Sequence, residues 1–192
     1  MNTADKKRAL LIRMDRMGDL ILTLPVDQNS ILKNYECTWF ITQGMGFIAE
    51  SSSPPRTYKE WKRKWSWSQF RQFVKTVQIL RPDVSISFHV PWWVNFALFI
   101  TRIPLRIGVL SQWHSYLFLN RGVRQKRSEC LYHEMEYNNR LVYEGFGETR
   151  VQDISPLTLK NSVDLPVNIG APFIVVHPGM GGSALNWPME HY

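Results

Sequence analysis

The sequence has few cysteines and no long apolar run, and each absence excludes a class of protein. Its 192 residues include two cysteines, Cys37 and Cys130, with no Cys-x-x-Cys pair. A zinc ribbon and a thioredoxin-type redox motif are therefore excluded. The most apolar stretch, residues 92–100, is about half as long as a membrane span must be. The basic amino-terminal segment contains only a short apolar run, which is not typical of a signal peptide. These absences predict a globular protein that is soluble or peripheral to a membrane.

Positive charge is what the sequence has in excess. Lys and Arg number 23 against 16 Asp and Glu, which gives a net charge of +7 and a pI near 9.6. Such an excess favours an anionic partner, either a phosphorylated substrate, a membrane surface or nucleic acid, although it also serves solubility. Basic residues cluster in 120–127 and, interleaved with aromatics, in 58–75. We expect a long helix over 58–81, which could stack bases, lie on an anionic bilayer or turn a Trp-rich face inward.

Apolar strands that alternate with helices predict an α/β fold with a parallel sheet. We expect residues 1–150 to form one domain and the Pro-containing segment 151–172 to be a linker. Residues 173–192 hold one strand and half a helix, which cannot bury a core, so they are expected to begin a second domain. The expected strands are 8–14, 37–42, 83–89, 105–109 and 173–177, and the other expected helices begin near residue 19 and span 92–101 and 129–145.

The segment IRMDRMGDLILTLP follows the first expected strand and carries the first candidate site. Gly18 permits a tight turn, and Asp19 then begins a helix. The carboxyl ends of parallel strands are where α/β folds place their sites. Asp19 is either a first-turn acid that the helix dipole favours or a general base at the mouth of a cleft.

Glycine-rich turns follow two other strands. In HPGMGGSALNWP (177–188), glycines precede a helix start, so backbone N–H groups can approach a phosphate. No GK[ST] closes this loop, which is therefore not a Walker A loop. QGMGFIA (43–49) fits GxGxxA but follows the second strand and has no acid about 20 residues on, which favours a cleft loop over a dinucleotide site. HEMEY (133–137) lacks the second histidine of a zinc protease and is predicted as a helix with solvated acids.

The first and last motifs together resemble the family 9 glycosyltransferases, the ADP-heptose:lipopolysaccharide heptosyltransferases. DVSISFH, RIGV and HEMEYNNRLVYEGFG lie between them in the order and spacing of that family, so the resemblance covers essentially the whole chain. It implies an α/β Rossmann-like parallel sheet with flanking helices, the N-terminal half of a two-Rossmann-domain (GT-B) glycosyltransferase. The N-terminal domain would hold the acceptor and the C-terminal domain the nucleotide-sugar.

The resemblance also implies an activity. The family transfers a heptose from ADP-heptose, with inversion, to the lipopolysaccharide inner core on the cytoplasmic face of the inner membrane. The implied partners are this donor, a phosphorylated glycolipid acceptor and the membrane surface; no nucleic acid, metal or cofactor is expected. Carried over by motif, Asp19 is the catalytic base. The loop near the donor diphosphate is formed by Gly179, Met180, Gly181, Gly182 and Ser183.

The residues expected to bind the acceptor are basic or lie beside Asp19. Leu185 stands where the family's loop is usually basic, which removes one phosphate-binding cation. The family also continues for another domain, of order 100–200 residues, so the 192-residue chain is expected to be inactive alone. The alternative is a non-catalytic α/β module that binds anions or a membrane surface, in which Asp19 is dispensable. The expected acceptor-binding residues are Arg16, Gly18, Lys62, Arg63, Lys64 and Arg124.

Overall fold

The computed structural model describes residues 6–160, which form an α/β fold around a six-stranded parallel sheet. Three short 3-10 helices, Leu24–Gln28, Leu32–Asn34 and Arg127–Glu129, supplement the main elements. The strands are β1 (Arg8–Arg13), β2 (Glu36–Thr42), β3 (Ser52–Ser53), β4 (Thr57–Trp61), β5 (Val84–His89), β6 (Leu105–Val109), β7 (Arg121–Val123) and β8 (Thr158–Leu159). The helices are α1 (Met17–Ile21), α2 (Gly46–Ser51), α3 (Trp67–Leu80), α4 (Trp92–Ile100), α5 (Trp113–Phe118) and α6 (Glu134–Gly145).

The order of the strands is that of a Rossmann-like fold. The sheet runs β4-β2-β1-β5-β6-β7, and every neighbouring pair is parallel. The chain builds outward from β1 to β4 on one side, then returns to build from β5 to β7 on the other. In such sheets a crevice opens at the carboxyl ends of the two strands where the direction reverses, here β1 and β5. The predicted α/β Rossmann-like parallel sheet is confirmed.

Both faces of the sheet are buried, which explains the almost continuous apolar run of β1. Leu11 faces a core that contains Trp39 and Leu141 of α6, whereas Leu10 faces a second core with Phe40 and Phe73 of α3. Strands covered on both faces need apolar residues at successive positions rather than alternate ones. This burial gave the central strands the clearest pattern in the sequence.

The long helix expected over 58–81 is wrong in its first part. Residues Thr57–Trp61 form β4, which pairs with the outer edge of β2, and helix α3 begins only at Trp67. The Ser66 side chain accepts a hydrogen bond from the Gln69 backbone N–H at 3.3 Å, and this cap fixes the start of α3. Pairing with β2 outweighs the local helical pattern. The basic residues 62–64 therefore lie in the loop after β4.

Smaller differences concern the ends of elements. Helix α1 stops at Ile21 and is followed by short 3-10 turns rather than by a kinked helix. The basic segment 120–127 contains the edge strand β7. Residues 151–160 include β8, which pairs antiparallel with β3. The division into a domain, a linker and a second domain stays a prediction, and residues 161–192 lie outside the described part.

Candidate active site

Charged side chains collect in the crevice where β1 and β5 end. Strand β1 ends at Arg13 and leads through Asp15 into α1, which carries Asp19 in its first turn. The backbone N–H of Met14 donates to the carbonyl of His89, at 3.2 Å, so the ends of both strands are adjacent. The crevice lies at the position in α/β folds that usually holds a ligand.

Arg13 organises the acidic residues of this crevice. Its side chain is 4% exposed, and it donates from Nε to Asp15 Oδ1 at 2.7 Å and lies 2.7 Å from Asp15 Oδ2 through Nη2. Nη2 also lies 3.3 Å from Asp19 Oδ1. A buried guanidinium is costly unless it is paired in this way, and the two-pronged contact fixes its plane. Arg13 thus orients the Asp19 carboxylate, which remains 36% exposed.

Helix α6 supports Arg13 from the other side. Glu134 Oε1 and Asn138 Oδ1 each lie 3.4 Å from Arg13 Nη1. Arg127 also hydrogen-bonds Glu134 and donates to Asn138 Oδ1 at 3.2 Å. Asn138 Nδ2 donates to Thr23 Oγ1 at 3.0 Å, and this hydroxyl donates to the Asp19 carbonyl at 2.6 Å. Side chains from α6 therefore hold both Arg13 and the backbone of Asp19.

The HEMEY segment is a helix start, as predicted, but its first acid, Glu134, is partly buried and ion-paired rather than freely solvated. His133 caps α6 by accepting from the Met135 N–H, and Glu136 accepts from the His133 N–H at 2.7 Å. Glu134 lies in the turn that this capping box begins, and it pairs with Arg13 and Arg127 in the crevice. Spacing along the helix did not indicate this, because both partners lie on other elements.

Arg63 reaches the crevice from the loop after β4. Its Nη2 lies 3.1 Å from His89 Nε2 at the end of β5. Gln69 of α3 donates to the carbonyls of Lys62, at 2.7 Å, and Lys64, at 3.2 Å, and Trp93 donates to the Arg63 carbonyl at 3.2 Å. These contacts fix the loop that presents Arg63.

Burial shifts the ionisation of two groups in the crevice in opposite senses. Burial raises the pKa of Asp15 above its ordinary value. The hydrogen bond and the positive charge of Arg13 act in the opposite direction but do not outweigh burial. Burial lowers the pKa of His89; Asp15 opposes this shift, whereas the nearby Arg63 and Arg13 add to it. His89 is therefore neutral at pH 7, and its ring can accept a hydrogen bond from Arg63.

The His89 ring is expected to titrate below the ordinary pKa of 6.5 in a histidine NMR titration. Because the folded pKa is lowered, the native state loses the stability associated with neutral His89 as the pH falls from 6.5 through the folded value. Arg63→Gln should raise the His89 pKa, because it removes a positive charge, and Asp15→Asn should lower it. Arg150→Gln, at an exposed arginine after α6, is the control and should leave it unchanged. A pKa that does not rise in Arg63→Gln would contradict the contact.

The structure gathers part of the predicted site. Arg16, Gly18 and Asp19 share the turn and first helix after β1, and Arg63 meets His89 at the same crevice. Arg124 lies after β7, where it donates to Tyr116 Oη at 3.1 Å. Within residues 6–160, no hydrogen bond or ion pair joins Lys62, Lys64 or Arg124 to Asp19. The donor loop, Gly179 to Ser183, lies outside the described residues, and all of these roles stay predictions.

The sequence motifs did not identify Arg13, Asp15, His89 and Glu134 as residues of the site. Two of them carried a usable signal, since Arg13 ends an apolar strand and His89 ends the next central one. Polar residues at the carboxyl ends of buried parallel strands indicate a site. Glu134 had no such signal, because only the packing of α6 brings it to Arg13.

Residues 6–160 also contain a groove away from Asp19, but no metal-binding cluster and no helix able to cross a membrane. An open polar groove of about 970 Å³ lies beside β4, lined among others by Gln43, Glu60, Lys62 and Gln69; Asp19 is not part of it. In residues 6–160, no group of three or more His, Cys, Asp or Glu is placed to hold a metal ion. None of the helices in that part has both the length and the apolarity needed to cross a bilayer.

The sequence matches no protein-family model and none of the curated proteins. Its fold, however, resembles several solved structures. A family 9 glycosyltransferase from Veillonella parvula matches with a TM-score of 0.63 and 19% identity, over 79% of this chain and 43% of that one. Escherichia coli heptosyltransferase WaaC, solved with ADP-2-deoxy-2-fluoro heptose, matches with a TM-score of 0.59 and 17% identity, over 76% of this chain and 50% of that one.

A third neighbour is ADP-heptose lps heptosyltransferase II from E. coli. Its TM-score is 0.51 at 11% identity, over 63% of this chain and 36% of that one. The chain thus spans half or less of the length of these neighbours. At such identities the likeness establishes the fold, and the expected glycosyltransferase fold is confirmed: the described domain has the α/β fold found in the heptosyltransferases of glycosyltransferase family 9.

Proposed function

We propose that this chain is the acceptor-binding part of an inverting, metal-independent glycosyltransferase. The proposed reaction transfers a heptose from ADP-heptose to the inner core of lipopolysaccharide. The observation that carries the proposal is the position of Asp19, a partly exposed carboxylate that a buried arginine holds at the crevice between β1 and β5. The fold shared with heptosyltransferases supports it, and two WaaC structures, with ADP and with an ADP-heptose analogue, support a nucleotide-sugar donor.

Asp19 would act as the general base. Its carboxylate takes the proton of an acceptor hydroxyl as the acceptor oxygen forms a bond to the anomeric carbon of the donor. The bond from that carbon to the diphosphate breaks, and its electron pair leaves with the diphosphate. Arg13 would hold the Asp19 carboxylate in place through their ion pair at 3.3 Å. The loop Gly179 to Ser183 is proposed to donate backbone N–H groups to the departing diphosphate.

Basic residues around the crevice would bind the phosphates of the glycolipid acceptor. Arg63 is the best placed of these residues, because it contacts His89 at the crevice and is exposed. Arg16 and Gly18 lie on the same turn as Asp19, with Lys62 and Lys64 on the loop of Arg63. Arg124, also proposed to bind the acceptor, lies after β7 and contacts Tyr116 of α5. Such an acceptor would place the protein in the cytoplasm, at the inner face of the inner membrane.

Acceptor binding can be tested with the 192-residue chain by calorimetric titration. A phosphorylated inner-core oligosaccharide without lipid should bind, and Arg63→Gln should weaken binding about tenfold through the loss of a charge-assisted contact. Arg150→Gln is the matched control, since it removes the same charge from an exposed position after α6. Absence of binding, or equal binding of a dephosphorylated oligosaccharide, would contradict the proposed acceptor.

A further inference from the structure

Helices α3, α4 and α5 expose an unusual number of large apolar side chains. Trp67 is 68% exposed and Trp113 is 62% exposed, and the remaining members range from 41% to 63%. We call this surface the aromatic face. Its members are Trp67, Trp92, Phe99, Ile100, Trp113, Tyr116 and Leu117.

Ring contacts connect the aromatic face into one continuous surface. Trp65 lies between Trp67 and Trp92, with centroid distances of 5.3 and 5.5 Å. Phe118 lies between Phe99 and Trp113, at 5.6 and 6.2 Å. Phe96 joins the two halves, 6.5 Å from Trp92 and 5.4 Å from Phe118. Single exposed apolar residues are ordinary, but a contiguous apolar patch indicates an interaction site.

The same part of the chain carries its excess of positive charge. Residues 61–128 include twelve Lys and Arg and a single acidic residue, Asp83, whereas the rest of the chain is net negative. Arg106 lies over the Phe99 ring, 5.5 Å from its centroid, and Arg124 donates to Tyr116. Lys62 and Lys64 are exposed just before Trp67. Basic groups therefore lie beside the aromatic face near the start of α3, at Phe99 of α4 and at Tyr116 of α5.

We propose that the aromatic face docks this domain on the surface of an anionic bilayer. Trp and Tyr rings favour the boundary between headgroups and acyl chains, and Lys and Arg are attracted to anionic headgroups. This inference rests on the proposed function, because a glycolipid acceptor would bring the protein close to a bilayer. The new element is the identity of the surface that faces the lipid.

Two other occupants fit the surface less well. A polynucleotide would use the basic residues and flat rings, but it leaves Ile100 and Leu117 without an apolar partner. A second copy of the chain would cover the apolar side chains but would bring two strongly basic surfaces together. An anionic bilayer offers both kinds of contact, because its headgroups attract the basic groups and its acyl chains bury the aliphatic side chains.

Vesicle co-sedimentation of the 192-residue chain tests the proposal. The chain should bind phosphatidylcholine vesicles that contain about 30% phosphatidylglycerol, and bind them less as the salt concentration rises. Trp67→Ser with Trp113→Ser should lower the partition coefficient about tenfold or more, because two exposed rings no longer enter the interface. Leu131→Ser is the matched control, since Leu131 is 66% exposed outside the aromatic face, and it should bind like the wild type. Lys62→Gln with Lys64→Gln should weaken binding to anionic vesicles only.

Several outcomes would overturn the proposal. The first is a wild-type chain that does not bind the anionic vesicles at all. The second such outcome is a Trp67/Trp113 double variant that binds the vesicles as tightly as Leu131→Ser. The third is a wild-type dimer that dissociates when both tryptophans are replaced. Stronger binding to single-stranded RNA that depends on the same tryptophans would assign the face to nucleic acid. Thermal melting of each variant separates lost binding from lost folding. Vesicle binding without binding of the phosphorylated oligosaccharide would refute the proposed acceptor and leave the docking surface standing.

Discussion

Asp19→Asn is expected to lower the rate of sugar transfer by about 10²–10⁴-fold, which is the usual contribution of a general base. The assay needs a chain that carries this domain together with a donor-binding domain, ADP-heptose and a phosphorylated acceptor. The amide keeps the size of the side chain but accepts no proton at neutral pH. The loss should appear in kcat, because substrate contacts remain, and the measurement is the initial rate at saturating donor and acceptor.

The control for Asp19→Asn is a change at an exposed acid outside the crevice. Glu144→Gln, near the carboxyl end of α6, should retain the wild-type rate. Within residues 6–160 the Asp19 carboxylate makes a single ion pair, at 3.3 Å, and it is partly exposed, so Asp19→Asn should change the free energy of unfolding by less than about 1 kcal/mol. A variant that folds and transfers sugar at the wild-type rate would show that Asp19 is only a favourable first-turn acid.

Arg13→Met is expected to lower the free energy of unfolding by about 3–5 kcal/mol, the usual effect of breaking a buried ion pair. Methionine fills much of the space of the arginine stem, but it leaves Asp15 buried without its two-pronged partner. Glu134 and Asn138 also lose a donor. Urea denaturation followed by circular dichroism measures the change in the 192-residue chain.

Two further variants test the reason for that loss. Arg13→Met with Asp15→Asn should be less destabilising than the sum of the two single changes, because no unpaired buried carboxylate remains. Lys126→Gln removes one partner of an exposed ion pair, Lys126–Glu129 at 3.0 Å, and should cost less than about 1 kcal/mol. A cost for Arg13→Met as small as that of Lys126→Gln would contradict the structural role of Arg13.

The central strands could be predicted from the sequence because burial on both faces makes their apolar runs nearly continuous. Strands β1, β2, β5 and β6 and helix α4 therefore lie close to their expected positions. Strand β4 could not be predicted, since it is a partly exposed edge strand whose pairing with β2 depends on tertiary contact. Its basic and aromatic residues continue into α3 and imitate one long helix.

The candidate site could be predicted only where it is local. Gly18 and Asp19 share one short motif at a strand end, and their types and spacing indicate a turn into a helix. The charged groups of the crevice come from distant parts of the chain: Arg13 and Glu134 are 121 residues apart, and Arg63 and His89 are 26 apart. A single sequence gives no information on such pairs, because only the sheet order and the packing of α6 bring them together.

The most direct test of the central claim uses a chain that carries this domain together with a donor-binding domain. The product that it forms from ADP-heptose is analysed by NMR and compared with the product of the Asp19→Asn variant. We predict a new glycosidic bond whose anomeric configuration is inverted relative to the donor, formed at a rate that depends on Asp19. A product with retained configuration, or equal formation by Asp19→Asn, would contradict direct displacement assisted by this carboxylate.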